Sequence, residues 1–504
     1  MSACPKMKCD DLVIGAGPAG LVTAILLAKT GRKVLLIERA AQVGGGLRGF
    51  RRAGVHFDTG FHFTGSIRKG ELFPFLLSQL GVEQQVKLLS SDDSCTHRFV
   101  FSNAGDAEIH VPAGIDQTID QWSTYFPKEA DAIRWYFTTL KAIANKTMGM
   151  QPDEPLVEYG RLDDDYVSLK EVLDAKFRDP VLKGAASVFA MCHGTPPAKV
   201  PFGVHARVSY GLHQSNGVIE GGGSALADTL LGEAVRCGVT ILTNCELESF
   251  QHIEQNMPGE AVFSNGHAAS FERCVMTQHP YQILQVMAPL KIHKAFRERV
   301  EMLETTAGYF ATFGIVQGDA PVPGFAHSIH SLFPDTDFDK MMDATWQGDG
   351  PLVLIEVPAG KGSAAPSVSA LELSFERDVA AWSDSRLRKR PQAYQDYKQQ
   401  HLDRLAPRLK GFVPYAERMK WVDSASLLTF RDYLNSPHGS AYGVMQKISQ
   451  YGLFGRLPIR NLYAAGQSSF VPGIIGSMLS GFFVVRQMIG KDIFDSLFWK
   501  SGKA

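Results

Sequence analysis

The sequence predicts an α/β fold centred on a Rossmann-type parallel sheet, and three observations carry that prediction. A short apolar run, Asp11-Leu12-Val13-Ile14, meets the turn Gly15-Ala16-Gly17-Pro18-Ala19-Gly20, and an Ala- and Leu-rich stretch predicts a helix over 18–29. A second apolar run over 33–37 stops at Glu38. Near the other end, 460–467 reads as a buried strand ending in Gly466, and Phe470-Val471-Pro472-Gly473-Ile474-Ile475-Gly476-Ser477 leads into a helix over 478–489.

Each glycine of the first turn has its own task. Gly15 permits the tight turn, Gly17 lets the backbone approach a pyrophosphate, and Gly20 lets the helix lie close to the strand. Pro18 and Ala19 open a helix whose free N–H groups and partial positive charge suit phosphate oxygens. Glu38, 18 residues beyond Gly20, is placed to accept hydrogen bonds from ribose hydroxyls and would repel the extra phosphate of NADP. After Arg39 comes a glycine-dense stretch, Val43-Gly44-Gly45-Gly46-Leu47-Arg48 and then Gly54-Val55-His56-Phe57-Asp58-Thr59-Gly60-Phe61-His62-Phe63-Thr64-Gly65. Backbone without side chains can pass close to a large planar ligand.

Residues 43–65 resemble the second flavin-contact motif of the amine oxidase and phytoene desaturase superfamily, in which paired glycines lie along the FAD. Within it, Phe57-Asp58-Thr59-Gly60-x-His62 is most similar to the retinol saturase and carotenoid isomerase branch, and Gly46 stands where amine oxidases generally carry Arg. Residues 217–250 resemble the family segment that returns the chain to the FAD sheet, with Leu247 presenting backbone to the adenine side. The 460–477 segment resembles the C-terminal motif that closes over the isoalloxazine and ribityl part. Leu428-Thr429-x-x-x-Tyr433-Leu434 and His438-Gly439-Ser440-Ala441-Tyr442-Gly443 look like the same branch.

The resemblance implies a Rossmann-type, GR2-like FAD-binding domain assembled from 1–75, 215–290 and 420–504, with an interleaved α+β substrate domain from 76–214 and 291–419. It implies that FAD is held by Gly15, Gly17, Pro18, Ala19, Gly20, Glu38, Arg39, Gly44, Gly45, Gly46, Leu47, Leu247, Gly466, Gly473, Ile474 and Gly476. The implied activity is that of an FAD-dependent oxidoreductase or isomerase acting on C–C or C=C bonds of a long apolar polyene or isoprenoid. Desaturation, saturation and cis–trans isomerisation are not separated by the sequence. No catalytic acid or base is assigned; His62, His438 and Tyr442 are candidates because they sit in motif-bearing segments. Two alternatives stay open: an amine oxidase-like reaction on a small amine, and a non-enzymatic lipid or prenyl-protein escort on a flavin fold.

Composition narrows the partners. A chain of 504 residues, 45% apolar and 20% charged, predicts two or three structural units. The formal net charge of −1 argues against a nucleic-acid partner, which needs a cationic surface. Seven scattered cysteines with no leading apolar segment predict reduced thiols and a cytoplasmic protein. Cys4 and Cys9 lack zinc-ligand partners, and the separations of His193, His205 and His213 match no usual ligand spacing, so no metal is expected. The most apolar stretch, 473–490, is broken by glycines, serines and Arg486 and reads as a buried helix. Peripheral membrane contact stays open, with the cationic run Arg386-Leu387-Arg388-Lys389-Arg390 as one place for it.

The inserts read as helices over 69–80, 129–145, 168–177 and 391–405. Strands are predicted at 98–101 and 107–111, joined as a hairpin, and at 309–316 and 352–357 in a second sheet. Loops rich in Pro, Gly and Ser, notably 359–369, separate the later elements. The inserts are rich in Phe, Tyr, Leu and Met, which favours an apolar small-molecule substrate. Only one dinucleotide turn is visible, so the electron partner is quinone, oxygen, a carrier protein or transiently docked nicotinamide.

Overall fold

The computed structural model describes all residues except 1–5, 153–155, 157–159, 319–327, 359–364, 451, 454 and 500–504. Cys4 and the first part of the 359–369 loop therefore lie outside the described residues. The predicted strand, turn and helix form from local signals alone: strand Asp11–Ile14 is buried throughout, and helix Pro18–Lys29 starts on a proline whose missing N–H is no loss at a first helical position.

Five parallel strands make the central sheet, in the order Thr240–Leu242, Val34–Ile37, Asp11–Ile14, Arg273–Met276, Leu462–Ala464. They come from three separated stretches of chain. Helices Pro18–Lys29, Gly222–Arg236 and Gly473–Ile489 pack through a common apolar core that includes Leu26, Leu226 and Phe482. The first and last of these meet at Gly481, where a Cβ would lie 3.1 Å from the Ala19 carbonyl oxygen and 3.0 Å from Thr23 Oγ1.

At the end of the sheet opposite the glycine turn, one carboxylate ties the pieces together. Asp11, fully buried, accepts from Arg273 Nε at 2.8 Å and Nη2 at 3.3 Å, and from Arg32 Nη2 at 3.3 Å and Nε. Arg273 Nη1 donates in turn to the Met488 carbonyl at 2.7 Å, near the end of the last long helix.

A second, seven-stranded sheet runs Met419–Ala425, Gly308–Val316, Ser367–Ser374, Leu352–Val357, Ile329–Phe333, His97–Phe101, Ala107–Val111. All pairs are antiparallel except Ile329–Phe333 with His97–Phe101. The predicted 98–101/107–111 hairpin is present, and Ser168 and Glu171 form the expected reciprocal cap of helix Leu169–Lys176.

Several expected boundaries move. Strand Met419–Ala425 is the edge of the seven-stranded sheet, so the last dinucleotide segment begins after it and not at 420. The expected 75/76 boundary cuts helix Leu72–Leu80, whose Leu72, Phe73, Leu76, Leu77 and Leu80 belong to the core of the parallel sheet. The last long helix begins at Gly473, five residues before the expected 478, so its glycines form the first helical turn. An unpredicted hairpin, Leu247–Glu254 with Met257–Phe263, turns on Gln255 and Asn256, both left-handed at φ 48° and 62°.

Candidate active site

The carboxyl ends of the parallel strands open into one cavity of about 1220 Å³. A pocket for one small ligand typically measures about 300–1,000 Å³, so the volume exceeds that of a single-ligand site. Its lining includes Gly15, Gly17 and Glu38, the apolar side chains of Leu72, Met148, Met191, Val204, Val208 and Leu212, and the ion pair of Arg207 with Asp165. Gly17 and Gly473, more than 450 residues apart in the chain, line the same space.

Of the predicted cofactor residues, Gly15, Gly17, Pro18, Ala19, Glu38, Arg39, Gly45, Gly46, Leu47, Leu247, Gly466, Gly473, Ile474 and Gly476 face the cavity. Gly20 and Gly44 do not. A Cβ on Gly20 would sit 1.8 Å from the Gly15 carbonyl oxygen, so this glycine brings helix to strand. Gly44 has φ 120° and packs on Ala227 of helix Gly222–Arg236, where a Cβ would come to 2.9 Å. Glu38 bonds to the protein as well as facing the cavity: Oε2 accepts from Ala16 N and Oε1 from Ala40 N, both at 2.8 Å, which fixes the carboxylate beside the turn.

The shape of the cavity tests whether a dinucleotide fits. Gly17 has φ −74°, which any residue adopts, and a Cβ there would meet no protein atom within 4 Å. A Cβ on Gly46 would likewise meet nothing within 4 Å. Neither backbone strain nor protein packing requires glycine at either position, yet both border the cavity. Bare backbone that the protein itself does not need is the form of a ligand cradle. The first turns of helices Pro18–Lys29 and Gly473–Ile489 line the same cavity and supply unpaired N–H groups. The residues present fit a diphosphate-bearing cofactor.

Asp58 has a structural task. Its Oδ1 accepts from Gly223 N at 2.8 Å, capping helix Gly222–Arg236 as the second glycine stretch folds onto it.

The three catalytic candidates separate. His62 lines the cavity, and burial lowers its pKa against the opposing pull of Asp58. Tyr442 also lines it, and burial beside Tyr309 and Cys192 raises its pKa well above that of a free phenol. His438 does not: it is 49% exposed, has φ 57°, and its Nδ1 pairs with Glu376 Oε1 at 2.8 Å on the outer surface. The expectation for His438 is corrected. Two residues that sequence reasoning missed, Gln278 and His279, line the cavity directly after strand Arg273–Met276. The only sequence signal was a capping-type residue before Pro280 at a helix start.

His193 and His205 come together inside an aromatic core. The chain of donors is fully determined: Thr195 N donates to His193 Nδ1 at 3.3 Å, His193 Nε2 to His205 Nδ1 at 3.2 Å, and His205 Nε2 to Tyr136 Oη at 3.2 Å, whose hydroxyl donates to the Ala186 carbonyl. Every ring nitrogen is used by a neutral tautomer, so a proton on either ring breaks a bond. Burial drives His205 and neighbouring His97 down to about 3, and His193 and His213 well below the ordinary value of 6.5. Unfolded chain binds these protons below pH 6.5 while the folded chain does not, so stability is full above pH 6.5 and is lost as pH falls toward 3. Each histidine contributes a slope of about 1.4 kcal/mol per pH unit in that window. Urea midpoints measured at pH 7.5, 6 and 5 are expected to fall steeply; a flat profile would contradict the relay. Among the described residues, no group of three or more His, Cys, Asp or Glu is placed to hold a metal ion.

Fold and cleft together define a Rossmann-type protein with a dinucleotide-sized cleft. Residues 13–76 match the family model of the NAD(P)-binding Rossmann-like domain. All-trans-retinol 13,14-reductase of Macaca fascicularis is 23% identical over 97% of this chain and 87% of its own length. Prolycopene isomerase 2 of an Oncidium hybrid cultivar is 31% identical over 30% of this chain and 26% of its own length. A solved structure of a putrescine oxidase triple mutant superposes with a TM-score of 0.65 at 14% identity, covering 98% of this chain and all of that one, a likeness of fold. These likenesses indicate a flavin-dependent oxidoreductase or isomerase, similar over nearly its whole length to all-trans-retinol 13,14-reductases and over about a third of it to prolycopene isomerases.

Proposed function

We propose that the chain binds FAD and reduces, desaturates or isomerises a C=C-bearing polyene of the retinoid or carotenoid class. The observation that carries this reading is one large cavity lined both by the Gly17 turn and by the apolar Leu72, Met148, Met191 and Leu212. FAD supplies hydride or electron chemistry when bound. The chain's own residues do the rest. Gly17 and Gly46 leave room for the diphosphate, Glu38 meets the ribose, and the methionine- and leucine-lined walls exclude water and align a long apolar chain. Retinoid substrates are favoured over others by the near full-length likeness to a retinol reductase. Electrons are exchanged with a diffusing partner, nicotinamide, quinone or oxygen.

The substrate is collected at a lipid surface. Leu387, Tyr433 and Leu434, 39%, 55% and 36% exposed, stand at the cavity rim. Arg386, Arg388 and Lys389 are exposed beside them, while Arg390 turns inward to Asp432 at 2.5 Å. Apolar tips among cations suit anionic headgroups. No helix among the described residues is long and apolar enough to cross a membrane.

The test is FAD-reconstituted protein in phosphatidylserine or neutral vesicles, given all-trans-retinol or a poly-cis carotene with the flavin reduced anaerobically, and phytoene with the flavin oxidised and a quinone present as terminal acceptor. Product from at least one polyene is expected, several-fold faster from anionic vesicles. No conversion of any polyene sinks the substrate class; equal rates from both vesicle types sink the docking surface. Peroxide released with small amines would favour the amine oxidase reading.

A further inference from the structure

Strand Arg273–Met276 lies between the strand that ends in the Gly15 turn and the strand that ends in Gly466. Whatever follows it enters the cavity midway between the two glycine segments. Thr277 anchors this exit, its Oγ1 donating to the Ile14 carbonyl at 2.9 Å. Gln278 and His279 come next, then helix Pro280–Val286.

His279 has two ring nitrogens in different situations. Nδ1 caps the helix, accepting from Tyr281 N at 3.3 Å. An accepting Nδ1 carries no hydrogen, so in the neutral ring the hydrogen is on Nε2. That nitrogen is buried and has no partner in the protein, although the residue is only 7% exposed. Beside it, Gln278 Oε1 is also buried and unpartnered. Both residues line the cavity. Buried donors and acceptors left without partners are rare, because each costs about 1–3 kcal/mol.

We propose that His279 Nε2–H and Gln278 Oε1 form a donor–acceptor pair for a hydroxyl-bearing stretch of the dinucleotide, its ribityl chain or its adenosine ribose. A phosphate accepts only and would leave Gln278 Oε1 facing a negative oxygen. A hydroxyl both donates and accepts, which satisfies the pair. Its place between the strands that end at Gly15 and Gly466 sets it among the residues expected to hold the cofactor. Burial holds the His279 ring neutral, with a pKa lowered to about 4, so the donor persists in its Nε2–H form at neutral pH. The contact rests on the FAD reading above.

His279→Asn separates cap from ligand contact, because Asn is a good N-cap but does not reach the Nε2 position. His279→Ala removes both. Dissociation constants are measured by titrating apoprotein with FAD and with ADP, alongside the melting temperature of each apoprotein. His279→Asn and Gln278→Leu are each expected to weaken FAD binding about tenfold, with the apoprotein melting temperature of His279→Asn close to wild type. Weakening with FAD alone assigns the pair to the ribityl chain, and weakening with ADP as well assigns it to the adenosine ribose. Unchanged FAD and ADP affinity in both variants overturns the inference while leaving the FAD reading intact. Wild-type protein that takes up no FAD overturns the FAD reading and the pair with it.

Discussion

Gly17→Ala is expected to lower FAD affinity at least a hundredfold while making the apoprotein slightly more stable than wild type. Inserting one methyl at an ordinary turn glycine strains the protein. Here the backbone is at φ −74° and the new Cβ would touch no protein atom within 4 Å. The unfolded state loses freedom, so the apoprotein gains about 0.4–1 kcal/mol at a compatible site. All of the penalty falls on the ligand, whose diphosphate needs bare backbone and the N–H groups of the helix start. Gly46→Ala makes a second, independent case for the same reason. By contrast Gly20→Ala is a folding mutant, since its Cβ would overlap the Gly15 carbonyl. Flavin titration with thermal melts of the apoproteins separates the two classes. Gly17→Ala protein that binds FAD normally would mean that no diphosphate lies on this turn.

The second large effect is at the other end of the sheet. Asp11→Leu removes a fully buried carboxylate from between Arg32 and Arg273, whose side chains are 25% and 19% exposed. Arg32 keeps Glu272 Oε2 at 2.9 Å, but Arg273 loses its carboxylate; leaving such a cation uncompensated costs about 3–5 kcal/mol, whereas replacing the whole set by apolar residues is often neutral. Asp11→Leu is therefore expected to lose about 3–5 kcal/mol by urea unfolding. Asp11→Leu combined with Arg32→Met and Arg273→Met recovers most of it. A single variant as stable as wild type would show that the network contributes nothing.

What the sequence revealed follows the range of the forces involved. The 11–38 unit was legible because strand, glycine turn, helix and terminal carboxylate all act within a few dozen residues, and helix Pro18–Lys29 has the predicted ends. The Ser168–Glu171 cap and the His97–Phe101/Ala107–Val111 hairpin are local in the same way. The edge strand Met419–Ala425 was missed because most of its residues are half-exposed and show no alternation, so nothing in the pattern marks it as sheet. The Asp11 network joins residues about 260 positions apart, and no spacing rule reaches that far. His438 was misplaced because a motif-bearing segment fixes the backbone's neighbourhood, not the direction of each side chain; a left-handed turn points this ring outward to Glu376. His279 was missed because Thr-Gln-His-Pro reads as a helix start, which it also is.

The parallel sheet has a consequence for the ribosome. Of its strands Asp11–Ile14 is made first, but the one that completes the far edge, Leu462–Ala464, and helix Gly473–Ile489, whose Val484 packs with Val275 of the sheet, come later. During synthesis the nascent chain must hold an apolar sheet face uncovered for most of translation, at about 5–20 residues per second.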